Sequence, residues 1–239
     1  MKNQSLKISF ALFIFIISFT SCSKDWHGVE GRGGIHTESR NFTEFTGVDF
    51  QLAGRVIIVP DSQYSVRVST FENYQSLIHI AVHGGVLVIN STKSLHDDDI
   101  NIEIHLPYLD YINLGGSGSI ITQNHFSSTN MKVKITGSGT IDYSGDVTSL
   151  NTNVSGSGKI TLLGTADSST MKMSGSGKVR GFAMRCKQNN VSISGSGEIE
   201  TYVNNSLTVN ISGSGKVYYM GNPTLSQHIS GSGKIIHQP

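Results

Sequence analysis

Cysteine, proline and tryptophan are scarce in this chain of 239 residues, which contains 2 Cys, 4 Pro and 1 Trp. Two cysteines can form one bridge at most, so a fold held together by several disulfides is excluded, and a chain of this length buries a sufficient core without them. An excess of either charge is also lacking, because 18 Lys and Arg stand against 17 Asp and Glu. No net field attracts nucleic acid, and we expect no nucleic-acid partner.

Glycine is abundant, with 27 residues, and Ser, Thr, Asn, Val and Ile are frequent. β-Branched residues favour strands, whereas Gly, Ser and Asn favour turns, and none of them is a strong helix former. The composition therefore predicts an all-β fold with many turns.

The N-terminus carries the pattern of an export signal. Lys2 and Lys7 precede an apolar stretch over residues 8–19, which is too short to span a bilayer, and Phe19-Thr20-Ser21-Cys22 closes it. This resembles a bacterial lipoprotein signal, in which acylation of the cysteine anchors the mature protein in a membrane. We expect residues 1–21 to be the signal peptide, Cys22 to be lipidated, and the product to be an exported outer-membrane lipoprotein that faces the periplasm or the cell surface. An ordinary signal peptide with an incidental cysteine is the alternative.

The second cysteine, Cys186, lies between Arg185 and Lys187. Two neighbouring cations would favour a thiolate, whereas a free cysteine in a strand more often packs as a small apolar residue. The sequence leaves both interpretations open.

A repeated Gly-Ser-Gly tripeptide organises the second half of the chain. Its copies begin at Gly116, Gly137, Gly156, Gly175, Gly195, Gly213 and Gly231. The spacings of 21, 19, 19, 20, 18 and 18 residues are typical of a solenoid, in which each repeat forms one coil and stacks on the next.

The residues that flank each tripeptide form apolar and polar columns. Two residues before the first Gly stand Leu114, Ile135, Val154, Met173, Ile193, Ile211 and Ile229. Four residues after it stand Ile120, Ile141, Ile160, Val179, Ile199, Val217 and Ile235. Both columns alternate with polar neighbours, which is the pattern of strands with one buried face. We predict a right-handed parallel β-helix of about seven rungs over residues 111–239, each with a Gly-Ser-Gly corner between two strands.

Two other interpretations of the tripeptide are weaker. A phosphate-binding Gly-rich loop requires a following helix N-terminus, which seven loops followed by strands do not provide. Hairpin turns of a meander would link antiparallel strands, but they would not require the same residue type in the same column of every copy.

Residues 38–110 lack the repeat but contain predicted strands over 47–50, 55–59, 64–69, 77–82, 86–91 and 100–106, with His83-Gly84-Gly85 as a hairpin turn. They form either a small β cap or irregular early coils. A cap is physically required, because the first rung would otherwise expose an open strand edge. Residues 22–37 are Gly-rich and charged, as expected of a tether.

Several motifs follow one another along the chain: Arg40-Asn41-Phe42 with Phe45 and Gly47-Val48, Tyr64 to Val68, Leu106 to Leu109 running into Leu114 to Gly118, and the Ser-Gly-Ser-Gly-Lys blocks. Together they resemble the family of Bacteroidota envelope lipoproteins described as "putative auto-transporter adhesin, head GIN domain". The resemblance covers roughly residues 38–239. It implies a β-helical fold on the cell envelope and supplies no catalytic residues.

Groups suited to catalysis or metal binding are sparse. The acids of the repeat region are Asp142, Asp146, Asp167, Glu198 and Glu200, in different columns, and they form no pair of the kind that polysaccharide-cleaving β-helices use. His96-Asp97-Asp98-Asp99 offers oxygen ligands for Ca²⁺, but a solvated loop is the better interpretation. We expect no catalytic site, no metal site and no cofactor.

One surface column is mostly lysine, with Lys159, Lys178, Glu198, Lys216 and Lys234 at equivalent positions. These lysines either form a basic stripe for anionic glycans or lipid headgroups, or prevent edge-to-edge aggregation. Tyr143, Tyr202, Tyr218 and Tyr219 are candidates for an exposed aromatic patch.

These observations predict a non-enzymatic envelope lipoprotein, adhesin-like or structural, that presents a β-helical rod. A glycan-binding module is the alternative, and a polysaccharide-active enzyme is the third hypothesis. The expected partners are the membrane, through the lipid anchor, and a surface glycan or an envelope protein. The oligomeric state does not follow from the sequence.

Overall fold

The computed structural model of the chain describes residues 28–239. The predicted signal peptide and Cys22 lie outside these residues, so their assignment stays a prediction. No helix within residues 28–239 has the length and apolar character needed to cross a membrane.

The described chain is almost entirely strand. The N-terminal strands are β1 (Ile35–Arg40), β2 (Gly47–Phe50), β3 (Arg55–Pro60), β4 (Ser65–Phe71), β5 (Ile78–His83), β6 (Val86–Ser91) and β7 (Asn101–Leu106), with one short helix, α1 (Glu72–Gln75), after β4. The repeat region comprises β8 (Tyr111–Leu114), β9 (Ser119–Thr122), β10 (Phe126–Gly137), β11 (Thr140–Gly156), β12 (Lys159–Gly175), β13 (Lys178–Arg180), β14 (Met184–Gly195), β15 (Glu198–Gly213), β16 (Lys216–Met220), β17 (Thr224–Gly231) and β18 (Lys234–His237). The predicted strands before the repeat are all present, with ends shifted by at most two residues.

The repeat folds as the predicted solenoid of parallel coils. The segments before each corner stack as β8, β10, β11, β12, β14, β15 and β17, and the segments after each corner stack as β9, β11, β12, β13, β15, β16 and β18. Every pairing in these two series is parallel, which rules out the antiparallel meander. Strands β11, β12 and β15 belong to both series, because each runs from one corner to the next.

The Gly-Ser-Gly corner continues the backbone ladder around the bend. The amide of Ser157 donates to the carbonyl of Gly137 on the preceding rung over 3.1 Å, and the same bond recurs on later rungs. Gly156 has φ +116°, and a Cβ on it would lie 2.7 Å from that same carbonyl oxygen. A Cβ on Gly158 would lie 2.5 Å from the Cγ2 of Ile135 in the core. The two glycines are therefore required for different reasons, one by conformation and stacking and the other by packing.

One continuous core runs through the stack. Both predicted apolar columns are buried except at the last rung, where Ile229 is 38% exposed and Ile235 is half-buried. The alternation of buried and exposed side chains is interrupted once per coil. In β11, for example, two residues rather than one separate buried Val147 from buried Leu150, and this interruption marks a second bend. Each fully buried Ile or Val contributes about 1.5–3 kcal/mol, so stacked rungs stabilise one another.

The N-terminal region supplies both early coils and a cap. Strand β2 pairs in parallel with β6 and β8, and β3 pairs in parallel with β7 and β9, so these coils extend the solenoid. The first coil along the chain, formed by β2 and β3, therefore lies between the second coil, formed by β6 and β7, and the third, formed by β8 and β9. Strand β5 pairs antiparallel with β6, through the expected hairpin turn at Gly84 and Gly85, and β1 and β4 add antiparallel strands beside β7. The core is continuous across Tyr111, and the proposed division at residues 110 and 111 stays a prediction.

The two ends of the rod differ. At the N-terminal end, the Arg40 guanidinium donates to the carbonyls of Ile78 and Gln75, each over 2.7 Å, and so joins β1 to the segment around α1. At the other end, β17 is exposed along most of its length, and one edge of the terminal coil has no neighbour within the described chain.

Candidate functional site

The predicted lysine column is real, because its members are register partners on successive rungs. Lys159 pairs with Lys178, Lys178 with Glu198, Glu198 with Lys216, and Lys216 with Lys234. Neighbouring members lie one strand spacing apart, about 4.8 Å. We call Lys159, Lys178, Lys216 and Lys234 the lysine stripe.

Acidic side chains neutralise the middle of the lysine stripe. The Lys178 ammonium lies 3.1 Å from Glu200 and 3.2 Å from Glu198, and Lys216 lies 3.6 Å from Glu198. Glu200 and Glu198 raise the pKa of Lys178, and Lys178 in turn lowers the pKa of Glu198. Within residues 28–239, Lys159 and Lys234 have no ion-pair partner, so only the ends of the stripe carry uncompensated charge.

Cys186 is a core residue, and the thiolate interpretation is wrong. Its side chain is fully buried in β14, and burial raises the pKa of the thiol to about 11. The neighbouring Arg185 points outward and lies over the ring of Tyr202, 5.3 Å from its centroid. Residues adjacent in a strand face opposite sides, so the cations beside Cys186 in sequence are not beside its sulfur.

The candidate tyrosines do not form one exposed patch. Tyr143 is 2% exposed, and burial raises its pKa to about 12. Tyr202 and Tyr218 are half-buried on different columns, and Tyr219 stacks on His237 at a centroid distance of 4.7 Å near the end of the rod.

The acidic run at residues 96–99 is a loop with a structural role. The Asp97 carboxylate accepts hydrogen bonds from the Gly31 amide over 2.6 Å and from the Tyr74 hydroxyl over 2.8 Å. These bonds lower the pKa of Asp97 and fasten the start of the described chain to the N-terminal cap. No group of three or more His, Cys, Asp or Glu within residues 28–239 is arranged to hold a metal ion.

Adjacent rungs bring together Ser144, His125 and Asp146, a grouping that the sequence analysis missed. The His125 ring lies 3.1 Å from the Ser144 hydroxyl through Nδ1 and 2.8 Å from Asp146 through Nε2. Thr165 donates to Asp146 over 2.6 Å, and this bond and His125 lower the pKa of that carboxyl. A Ser-His-Asp chain can activate a nucleophile. Here, however, the Ser144 amide already donates to Thr122 over 2.8 Å and is not free to stabilise an oxyanion, and the His125 side chain is 44% exposed to water.

A second charged network lies near the N-terminal cap. His105 is held between Asp61, 2.9 Å from Nδ1, and Glu103, 2.8 Å from Nε2, and Glu103 also bonds Arg67. Glu103 and Asp61 raise the pKa of His105, while His105 lowers the pKa of both carboxyls. The charges compensate one another, which suits a structural clasp between β4 and β7 better than a ligand site.

The outward face of the strands before each corner has a distinct chemistry. It is formed by residues 111–115, 130–136, 149–155, 168–174, 188–194, 206–212 and 224–230, which lie in register on seven rungs. None of these residues is Asp or Glu, and most of the outward side chains are Asn, Ser, Thr or Lys. We call this surface the amide face. It contains a groove of about 610 Å³ lined by Asn153, Lys172, Ser174, Ser192, Asn210 and His228, among others.

Comparison with known proteins gives a family and a fold. The family described as "Putative auto-transporter adhesin, head GIN domain" matches residues 44–223. A "putative adhesin" from Bacteroides fragilis superposes with a TM-score of 0.81 at 23% identity, covering 88% of this chain and 100% of that one. A "putative lipid binding protein" from Parabacteroides distasonis superposes with a TM-score of 0.75 at 24% identity, covering 88% of this chain and 99% of that one. A "putative adhesin" from Parabacteroides merdae superposes with a TM-score of 0.70 at 18% identity, with the same coverage of each chain. No curated protein matches the sequence. At these identities the solved structures establish the fold alone.

Proposed function

This chain belongs to the family described as "Putative auto-transporter adhesin, head GIN domain", and from that premise we propose that it is a non-enzymatic, adhesin-like lipoprotein of the cell envelope. In this proposal a lipid on Cys22 anchors the chain in the outer membrane, and the solenoid projects from it as a rod. Seven rungs at a strand spacing of about 4.8 Å make the repeat roughly 34 Å long.

The observation that carries the proposal is the regularity of the solenoid. Its outward side chains repeat column by column, and most of its acids lie in ion pairs with cations of its own surface, as Glu198 and Glu200 do with Lys178. An extended, repetitive surface suits contact with a long partner, whereas an enzyme needs polar groups that converge on one enclosed pocket.

The non-enzymatic part of the proposal can be tested at Ser144. We expect a fluorophosphonate probe to leave the full chain unlabelled, because the Ser144 amide is already hydrogen-bonded and His125 is open to water. Labelling that disappears in Ser144→Ala and persists in Ser157→Ala would establish an activated nucleophile and overturn this part.

The anchor and its orientation require an experiment on whole cells. We expect an alkyne palmitate analogue to label the wild-type chain but not Cys22→Ala, and external protease to remove the solenoid from intact cells. Labelling that persists in Cys22→Ala would contradict the lipid anchor. Protection from protease on intact cells, but not after outer-membrane permeabilisation, would place the rod in the periplasm and contradict the adhesin-like role.

A glycan-binding module is the second candidate function. The amide face favours it, because amides and hydroxyls on rigid strands match the hydrogen-bonding groups of a carbohydrate, whereas protein interfaces use aromatic and Arg anchors.

A further inference from the structure

Carboxylates are excluded from the amide face over its whole length. The acids of the repeat region, Asp142, Asp146, Asp167, Glu198 and Glu200, all lie outside its seven segments. The nearest carboxylate on the same series of strands is Asp49 of β2, which accepts hydrogen bonds from Asn113 over 2.7 Å and from Gln51 over 3.0 Å. The face therefore contains no acid to neutralise the cations that it carries.

Those cations are Lys132, Lys134 and Lys172, and none of them has an ionic partner within residues 28–239. The Lys132 ammonium lies 5.7 Å from the centroid of the Tyr111 ring. Lys134 and Lys172 occupy one column, two rungs apart, with Asn153 between them. Neither makes an ion pair within residues 28–239, in contrast to Lys178 and Lys216 of the lysine stripe. Two rungs correspond to about 9.6 Å, so the two ammonium groups can meet charges spaced along an extended chain.

The groove that contains Lys172 is also lined by neutral hydrogen-bonding side chains from the same and neighbouring columns. Asn153, Lys172, Ser192 and Asn210 are consecutive members of one column, and Ser174 lies beside them. Within the described chain their side chains make no hydrogen bond to another protein group. The strands of the solenoid fix the backbone that carries these donors and acceptors, so a ligand has to order only their short side chains on binding.

We propose that the amide face binds an extended carboxylated polysaccharide, with Lys134 and Lys172 contacting its carboxylates and Asn153, Ser192 and Asn210 its hydroxyl groups. The inference deepens the adhesin-like function proposed above and rests on it. Charge complementarity selects an acidic glycan over a neutral one, because unpaired lysines on an acid-free surface attract anions. A protein partner is disfavoured, since Tyr111 at one end is the sole aromatic residue of the seven segments and Arg is absent from them.

The test is binding of the full chain, purified in detergent, to immobilised polygalacturonate. We expect the double variant Lys134→Glu/Lys172→Glu to weaken binding by roughly tenfold or more, and raised salt to weaken wild-type binding. The matched control is Lys159→Glu/Lys234→Glu, which changes the net charge equally on the lysine stripe and should change affinity less than about twofold. Lys134→Gln/Lys172→Gln repeats the test without adding negative charge, and thermal unfolding verifies the fold of each variant.

The outcomes separate this inference from the proposed function. Equal losses in both double variants would mean that net charge alone governs binding, and a loss confined to the control would place the ligand on the lysine stripe. Equal binding to neutral dextran would remove the requirement for carboxylates, and tighter binding to dextran sulfate would assign the face to sulfated chains. Each of these results, or the absence of any binding, overturns the inference, whereas the adhesin-like role is decided separately by protease access on whole cells.

Discussion

Glu198 lies between Lys178 and Lys216 on three successive rungs, with its carboxylate 3.2 Å from the Lys178 ammonium and 3.6 Å from that of Lys216. One acid in a column of lysines thereby relieves the repulsion that stacking would otherwise create. This relationship gives the first of four predictions.

Glu198→Gln should destabilise the chain modestly, by about 0.5 kcal/mol at low salt, because the pairs are partly exposed. The loss should shrink as salt screens the repulsion between Lys178 and Lys216. Urea unfolding at low and high ionic strength measures both effects. Lys159→Gln, which removes a charge without an ion-pair partner, is the control and should not destabilise; a salt-independent loss in Glu198→Gln would contradict the electrostatic explanation.

Gly158→Ala should destabilise the solenoid by about 1–3 kcal/mol, because the added methyl group overpacks the core against Ile135. Ser157→Ala should be nearly neutral, since the Ser157 amide, rather than its hydroxyl, makes the bond to Gly137. Chemical unfolding of the two variants provides the comparison. A stability loss in Ser157→Ala as large as that in Gly158→Ala would contradict this prediction, because it would show that the Ser hydroxyl also stabilises the corner.

The buried pair Asn189 and Thr201 should be strongly coupled. The Asn189 side-chain amide donates to the Thr201 hydroxyl over 2.8 Å, while its own carbonyl oxygen has no hydrogen-bond partner within the described chain. Thr201→Val should cost about 1–3 kcal/mol by leaving a buried donor unsatisfied. Asn189→Leu/Thr201→Val should recover this loss, because Leu207 already fills the equivalent position on the next rung. Unfolding free energies of a double-mutant cycle measure the coupling, and additive effects would refute it.

The stability contributed by His105 should depend on pH. Its folded-state pKa is raised by Glu103 and Asp61, so its contribution is complete below the unfolded-state pKa of about 6.5 and is lost as pH rises through the raised value. The folded-state pKa values of Glu103 and Asp61 are lowered, so their contribution is lost as pH falls through those values.

His105→Gln should therefore be less stable than the wild type by up to about 1 kcal/mol near pH 5–6, with a difference that fades at alkaline pH. Thermal unfolding across this range measures it. His79→Gln, on the exposed side of β5, is the control and should show no such profile. A stability difference for His105→Gln that does not change with pH would mean that His105 acts through packing alone.

The candidate surfaces could be predicted in part. The lysine column follows directly from the repeat. The amide face follows from it too, because the positions one, three and five residues before the first Gly of each tripeptide face outward, and none of them is an acid. The Ser144 grouping has a weaker signal, because His125 and Ser144 are 19 residues apart, which is one rung. Nothing in the sequence indicates that Lys178 reaches Glu200 as well as Glu198, because that contact depends on side-chain conformation.

What the sequence determined by itself is the repeating coil. Gly at two fixed places and Ile or Val at two others leave one arrangement that buries every apolar column, and the parallel register follows from that constraint. Tertiary structure alone decided the order of the first three coils, the insertion of β2 and β3 between β6–β7 and β8–β9, and the antiparallel pairing of β1 with β4. Those choices depend on contacts between segments without a repeat, such as the hydrogen bond from Arg40 to Ile78. Contacts between residues far apart in the sequence leave no local sequence pattern from which they could be predicted.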